Sequence, residues 1–447
     1  MNMCICRYDH TISDISKKEC DLIMNRVPIS LLVLLILAIS SGPCSATAGD
    51  KVDDLISSSN PLGIFGNADM NDIIDERDVD YVKGVIDGKS EATKLADANY
   101  DGKIDSLDVD RINEIIKGEE LELTLMDSAD RVVTVKLPVQ RAVTLNDYPA
   151  EVMRILGVQD RIVGVGSSIL ESKAYFPELA GLPSVGTISV PDYEAIIGLN
   201  PDLVIQWTSK AQEKAEKLPG ISVIALDFYK PETLANEVRT FGYIFGRTER
   251  ADEFIDWYEG WLDKIHNTTK EIPEDDKPDV FLEATYNPGE MWRTGGSKSG
   301  WHQKIEIAGG KNIFGDISEG SGVDVDPEEV MKRNPDIIFK RAITDESGYA
   351  LDNATEFSEI RDEIMGRPEL AHVKAIENER VYIVHIDIFG GFNHLPGIAY
   401  LAKWFHPDLF DDLDPQAIHQ EYLTRFQGLD FDLSKHGVFV YPTQEVR

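Results

Sequence analysis

Two rhythms of apolar residues run through the larger part of the chain. Alternation with a period of two marks 121–125 (Leu121-Glu122-Leu123-Thr124-Leu125) and 132–135 (Val132-Val133-Thr134-Val135), on either side of a polar stretch from Asp127 to Asp130. That pattern predicts an opening β-hairpin. Beyond it come short uninterrupted apolar runs at 142–145, 162–165, 203–205 and 223–226, separated by helical stretches such as 150–156. Apolar runs alternating with helices predict βα units and a largely parallel sheet. A second series follows Pro278, with runs at 280–282, 337–339 and 381–384. Between the two series, Ala251, Phe254, Ile255, Tyr258, Trp261, Leu262 and Ile265 recur at helical spacing, with Thr248 placed to cap the start and Pro273 to stop it. At 1.5 Å per residue this is one helix of about 35 Å, a stiff link between two α/β lobes.

Ahead of the hairpin the rhythm changes to a 12-residue pattern that occurs twice. The second copy, 97–108, has oxygen-bearing side chains at positions 1, 3, 5, 9 and 12 (Asp97, Asn99, Asp101, Asp105, Asp108), Gly102 at position 6 and the Lys103 carbonyl at position 7. A hard cation is held by such a ring of oxygens, with glycine making the sharp turn. The first copy keeps Asn67, Asp69, Asn71, the Ile73 carbonyl, Asp75 and Asp78 in register but has Asp72 in place of glycine, so a weaker or more strained site is expected there. Each loop leads into an apolar-patterned helix that ends at a glycine, Gly88 or Gly118. The duplication, the Asp at position 12 and a helix only after each loop resemble a type I dockerin. That resemblance implies a small all-α domain over 60–119, Ca2+ as its ion, and a cohesin-bearing protein as its partner.

The two lobes repeat a unit of their own. Glu194 stands six residues before Asn200-Pro201-Asp202 and Glu328 six before Asn334-Pro335-Asp336, and each is followed by an apolar strand. Proline disfavours helix in the residue before it, so both units read as a short helix, a break and a strand. These units, taken with Arg161-Ile162-Val163-Gly164-Val165-Gly166, Leu182-Pro183-Ser184-Val185-Gly186, Ala308-Gly309-Gly310-Lys311-Asn312-Ile313 and Asn378-Glu379-Arg380-Val381-Tyr382, resemble the iron-siderophore and cobalamin class of periplasmic substrate-binding proteins. The resemblance implies two Rossmann-like lobes joined by a single long helix over 121–428: lobe 1 about 137–246, helix about 249–271, lobe 2 about 278–428, with 429–447 as a tail. It implies a ferric chelate or corrinoid ligand held between the lobes, delivery to an ABC permease, and permease docking through Glu194 and Glu328.

In an open α/β sheet, ligands gather beyond the C-terminal ends of the strands. That rule nominates Asn146, Tyr148, Trp207, Phe228 and Tyr229 in the first lobe. In the second it nominates Tyr286, Trp292, Arg293, Arg341 and Phe389. Aromatic walls with a few cations suit a flat organic ligand or an anionic ferric chelate. His302, His385 and His394 offer the alternative of a bare metal site, although they lack close ligand spacing. Haem is a further ligand candidate. A dockerin-borne carbohydrate-active enzyme, with two carboxylates across a cleft, is the competing class. No Gly-x-Ser-x-Gly elbow, His-Glu-x-x-His helix or phosphate-binding Gly-rich loop occurs in the sequence, and the expectation is binding rather than catalysis.

Charge and targeting narrow this further. A net charge of −35 opposes binding to nucleic acid, which needs clustered Lys and Arg. The apolar run 27–39 is too short to span a bilayer, follows Arg26 and precedes Ala46-Thr47-Ala48, the arrangement of a cleaved secretory signal. Residues 1–48 are therefore expected to be removed, leaving a secreted or cell-surface protein. All four cysteines, Cys4, Cys6, Cys20 and Cys44, lie in that segment, so cores and bound metal rather than disulfides are expected to hold the mature chain.

Overall fold

The computed structural model describes residues 61–284, 291–344 and 346–443; the expected signal segment and Tyr286 fall outside them. Strand β1 (Glu122–Met126) pairs antiparallel with β2 (Val132–Lys136), as the alternation requires. Leu123, Leu125 and Val135 face the core while Glu122 and Lys136 face water. The turn is held by Asp127, whose carboxylate accepts from the Ala129 and Arg131 amides and pairs with the Arg131 guanidinium at 2.6 Å.

Strands β3 (Ala142–Thr144), β4 (Ile162–Val165), β5 (Leu203–Gln206) and β6 (Ser222–Ala225) form a parallel sheet in the order β4-β3-β5-β6. In the second lobe β7 (Asp279–Glu283) is followed by β8 (Trp292–Gly295), which pairs with β10 (Ser321–Val325) as a separate antiparallel ribbon. The main sheet there has the order β13-β12-β11-β7-β9, from β9 (Lys311–Asn312), β11 (Ile337–Ala342), β12 (Val381–His385) and β13 (Val440–Tyr441). Strand β13 runs antiparallel to β12. The stretch from 429 is therefore not a free tail: Phe439 and Val440 are buried, and the Phe439 carbonyl accepts from the His385 amide at 2.7 Å.

Helix Thr248–Thr269 joins the lobes, 22 residues or about 33 Å long. Its cap is Arg247, with Thr248 already in the first turn. Ala251, Phe254, Ile255, Tyr258, Leu262 and Ile265 are buried as their spacing predicts. It packs closely on helix Pro231–Phe245 at Gly242, where a Cβ would stand 2.9 Å from that of Ala251.

The duplicated Glu to Asn-Pro-Asp units have the same construction in both lobes. Asp192 caps helix Tyr193–Gly198 and Asp326 caps Pro327–Arg333, which puts Glu194 and Glu328 at the second helical position, both exposed. Asn200 and Asn334 take left-handed φ values of 46° and 47°. The closing aspartates tie down the start of a neighbouring strand: Asp202 accepts from Gln140 and Arg141 amides, Asp336 from that of Asp279.

The N-terminal module carries helices Glu76–Ile86 and Ser106–Lys117, which start inside the 12-residue patterns, at position 10 of each. It is fastened to the first lobe. Ile64 bridges to Leu125, the Phe65 amide donates to Thr124 O at 3.0 Å, and the Ile74 amide donates to Tyr243 Oη at 3.0 Å. Leu62, Ile64, Val82 and Ile112 belong to one continuous apolar cluster with Leu123, Val135 and Phe254.

Candidate functional site

Strand β3 ends at Thr144 and helix Asp147–Ile155 begins three residues later, so Asp147, Tyr148 and Glu151 stand at the C-terminal edge of the first sheet. In the second lobe β12 ends at His385, and the turn beyond it presents Asp387 and Gly391. Asp147, Tyr148, Glu151 and Tyr175 of lobe 1 meet Ser347, Tyr349, Asp387 and Gly391 of lobe 2 around a cavity of about 100 Å3. Gly391 lets the second lobe approach: a Cβ there would be 2.8 Å from the Tyr148 ring. Tyr175 and Tyr349 stack across the lobes with ring centroids 4.5 Å apart.

The cavity is acidic. Glu151 is only 6% exposed; its Oε2 accepts from Tyr175 Oη at 2.8 Å and Tyr422 Oη at 2.6 Å, while no bond reaches Oε1. Burial, opposed by those hydroxyls and reinforced by Asp147, pushes its carboxyl up to about 8. Burial likewise raises Asp147 to about 6, and no side chain pairs with it. Asp387 accepts from Ser347 Oγ at 2.6 Å and the Gly348 amide at 2.9 Å. Among the described residues that line the cavity there is no lysine or arginine. Arg154, behind it, is engaged by Glu178, Gln427 Oε1 and the Tyr175 carbonyl.

The residues nominated from the sequence divide into two groups. Tyr148 lines the cavity and meets Trp207 at 5.7 Å between ring centroids. Arg341 sits over the Trp301 ring at 4.9 Å, its guanidinium drawn down by burial and drawn up by nearby Tyr148. Asn146 is 2% exposed with both amide atoms unbonded, and Trp207 Nε1 and Arg341 Nε are also buried without partners. Such orphaned polar atoms, gathered at strand ends, are satisfied by a ligand or by water. Tyr229 is half-buried, and its carbonyl and ring lie against Gly300 of the second lobe.

The others lie elsewhere. Phe228 is wholly buried against Phe241 and Phe392, a core residue. Trp292 packs on Phe281 inside the second lobe. Phe389 is buried on Phe339, and its carbonyl accepts from buried Lys304 at 2.7 Å. Arg293 is exposed on the β8–β10 ribbon and paired with Asp324 at 2.8 Å. His302 and His394 have separate partners in Asn312 and Tyr258, while His385 bonds Thr344 and its Nδ1 accepts from the amide of the cavity residue Asp387 and stands 3.3 Å from its carboxylate; among the described residues no group of three or more His, Cys, Asp or Glu side chains is set to hold a metal ion. The strand-end rule could have found Asp147 and Asp387; Tyr175 and Tyr349 follow no strand and gave no such signal.

That same absence of a cage extends to the duplicated loops, whose carboxylates bond to their own backbone. Asp78 accepts from the Asp69 and Asp75 amides and Asp108 from those of Asn99 and Asp105, the same two positions in each loop. Positions 4 and 6 are left-handed in both: Met70 and Asp72 at 60° and 72°, Tyr100 and Gly102 at 57° and 86°. Asp72 therefore carries the conformation that glycine takes freely. Asp78 and Asp108 are fully buried, and burial raises both carboxyls, Asp78 to about 6. Asn67 Oδ1, at position 1, is buried with no partner. These buried carboxyls stand at position 12 of their loops and the orphaned oxygen at position 1 of the first.

Comparison with known proteins gives a family and a fold. The family model described as "Periplasmic binding protein" matches residues 143–387. An uncharacterized ABC transporter substrate-binding lipoprotein, YvrC of Bacillus subtilis, is 26% identical over 303 residues, 66% of this chain and 88% of that protein. The vitamin B12-binding protein of Salmonella typhimurium is 29% identical over 202 residues, 44% of this chain and 71% of that one. Among solved structures, the TroA-like periplasmic binding protein FepB from Veillonella parvula superposes with a TM-score of 0.58 at 25% identity, covering 71% of this chain and 98% of its own.

Proposed function

This chain belongs to the periplasmic binding protein family, and on that premise we propose that it is the ligand-capturing subunit of an ABC importer, acting outside the cytoplasmic membrane on a ferric chelate or corrinoid. The observation that carries the reading is the cavity lined from both lobes at the C-terminal ends of β3 and β12, where an open α/β sheet binds its ligands. Small-molecule pockets usually enclose about 300–1,000 Å3. A cavity of about 100 Å3 holds part of such a ligand, so capture requires the lobes to rock apart about helix Thr248–Thr269. Orphaned Asn146, Trp207 and Arg341 and the faces of Tyr148 and Trp207 are the groups that the remainder of the ligand would engage. No helix among the described residues is long and apolar enough to cross a membrane.

Two further roles belong to this reading. The loops at 67–78 and 97–108 are proposed to hold Ca2+ through Asn67, Asp69, Asn71, the Ile73 carbonyl, Asp75 and Asp78, and through Asp97, Asn99, Asp101, the Lys103 carbonyl, Asp105 and Asp108. The ion would supply the positive charge that the buried Asp78 and Asp108 lack. A dockerin-like module of this kind would attach the binding protein to a cohesin-bearing partner, and exposed Ile73, Tyr100 and Leu107 offer apolar surface for it. Glu194 and Glu328 are proposed to dock the permease, one from each lobe. Their matched exposure at the second position of equivalent helices supports this, and neither is needed for a cap, since Asp192 and Asp326 serve there. Double substitution Glu194→Ala/Glu328→Ala should leave folding and ligand affinity within twofold of wild type and lower uptake at least tenfold in cells that depend on this importer. Unchanged uptake would refute the docking role.

A further inference from the structure

The reading of the interlobe cavity as the ligand site leaves open what kind of ligand its chemistry accepts. Three carboxyl groups, Asp147, Glu151 and Asp387, come to one cavity from two lobes; Asp387 stands 3.3 Å from His385 Nδ1, and no lysine or arginine is among the described residues that line the cavity. Among the described residues, one oxygen of Glu151, which is 6% exposed, has no hydrogen-bond partner and Asp147 has no side-chain partner. Burial raises the carboxyls of Glu151 and Asp147, and Arg154, behind the cavity, only partly offsets it at Glu151. The rest of the lining is tyrosine and serine, with the Tyr175–Tyr349 stack presenting aromatic surface.

A metal ion held directly by the protein would compensate such charge, but it needs ligands converging within about 2.0–2.6 Å of one point. The carboxylates do not converge in that way. A larger cationic group can approach several separated carboxylates at once and lie against tyrosine faces, which attract cations. Resting on the cavity as ligand site, we infer that its acidic end selects ligands bearing a cationic nitrogen, an ammonium or amidinium, and discriminates against anionic ones. The anionic chelate expected from the sequence is thereby disfavoured. That expectation leaned on Arg293 and Arg341, neither of which lines the acidic end: the first is paired with Asp324, and the second stacks on Trp301 among the groups proposed to meet the rest of the ligand.

Matched pairs test this in the full-length protein. Titration calorimetry would compare a ferric trihydroxamate carrying a free terminal ammonium with the same chelate succinylated on that amine, and an aminoalkyl cobalamin with a cobalamin monocarboxylate. Within at least one pair the cationic member should bind at least tenfold more tightly, and Asp147→Asn and Asp387→Asn, each made separately, should reduce that ratio at least threefold. The neutral amides preserve shape, and circular dichroism would confirm folding of each. Equal affinity within a pair that does bind, or tighter binding of its anionic member, would overturn the charge selection while leaving the importer reading standing. Failure of all four probes to bind would overturn the chelate or corrinoid reading, and this inference with it.

Discussion

At the scale of single residues, Glu151 concentrates the unusual electrostatics of the cleft. Its carboxyl is held near 8 in the folded protein against an ordinary value of about 4.5, so the folded state binds the proton more tightly than the unfolded state does. Stability from this group is complete below about pH 4.5 and is lost as the pH rises through about 8. Thermal unfolding from pH 5 to 9 should show wild type losing stability relative to Glu151→Gln as the pH rises, since glutamine keeps a neutral partner for Tyr175 and Tyr422. A constant difference across that range would mean that Glu151 is ionised throughout. Little of this was legible in the sequence. The strand-end rule led to Asn146 and Tyr148 but passed over Asp147 between them, and it reached Phe389 while passing over Asp387. Aromatic residues beyond strand ends are not ligand contacts on that ground alone: Phe228, Trp292 and Phe389 are large apolar side chains that burial claims first. Tyrosines 175, 349 and 422 converge only through tertiary packing, which periodicity does not encode.

At the scale of elements, the two duplications take matched local geometry in each copy, because each is written in local chemistry. The Asn-Pro-Asp units fold alike since a left-handed asparagine ends each helix and an aspartate fastens the next strand. The 12-residue loops share left-handed positions and amide-bonded final aspartates for the same reason. The sequence could not reveal how the N-terminal module sits on the first lobe, because contacts such as Ile74 to Tyr243 span 169 positions. Since that apolar core is continuous with the lobe, calcium binding should stabilise more than its own loops. A ligand at a hundredfold excess over its Kd adds about 2.7 kcal/mol per site, a shift of several degrees in a chain of this size. Calorimetric melting of the full chain, first with chelator and then with excess calcium, should show that rise, and Asp108→Ala should forfeit the second loop's share. Identical melting temperatures in the two conditions would exclude both loops as calcium sites.

At the scale of the whole molecule, two parallel sheets, a single connecting helix and a cleft lined from both sides follow from one sequence pattern: apolar runs, breaks and one long amphipathic stretch. That architecture was visible in advance because strand and helix periodicities are short-range. The exceptions are where the chain returns on itself, as β13 does when residues beyond 429 add an edge strand to the second lobe. A stiff helix between lobes favours small rocking over wide opening, which suits a protein that must hold a ligand for transfer without changing its own fold. The proposed metal chelate or corrinoid in the cleft is read most directly from the absorption spectrum and metal content of the protein recovered from its native host without denaturation. A visible band with close to one bound iron or cobalt per chain, released on unfolding, is expected; a colourless protein, free of both metals, that takes up no ferric chelate or corrinoid when these are supplied would rule that ligand class out.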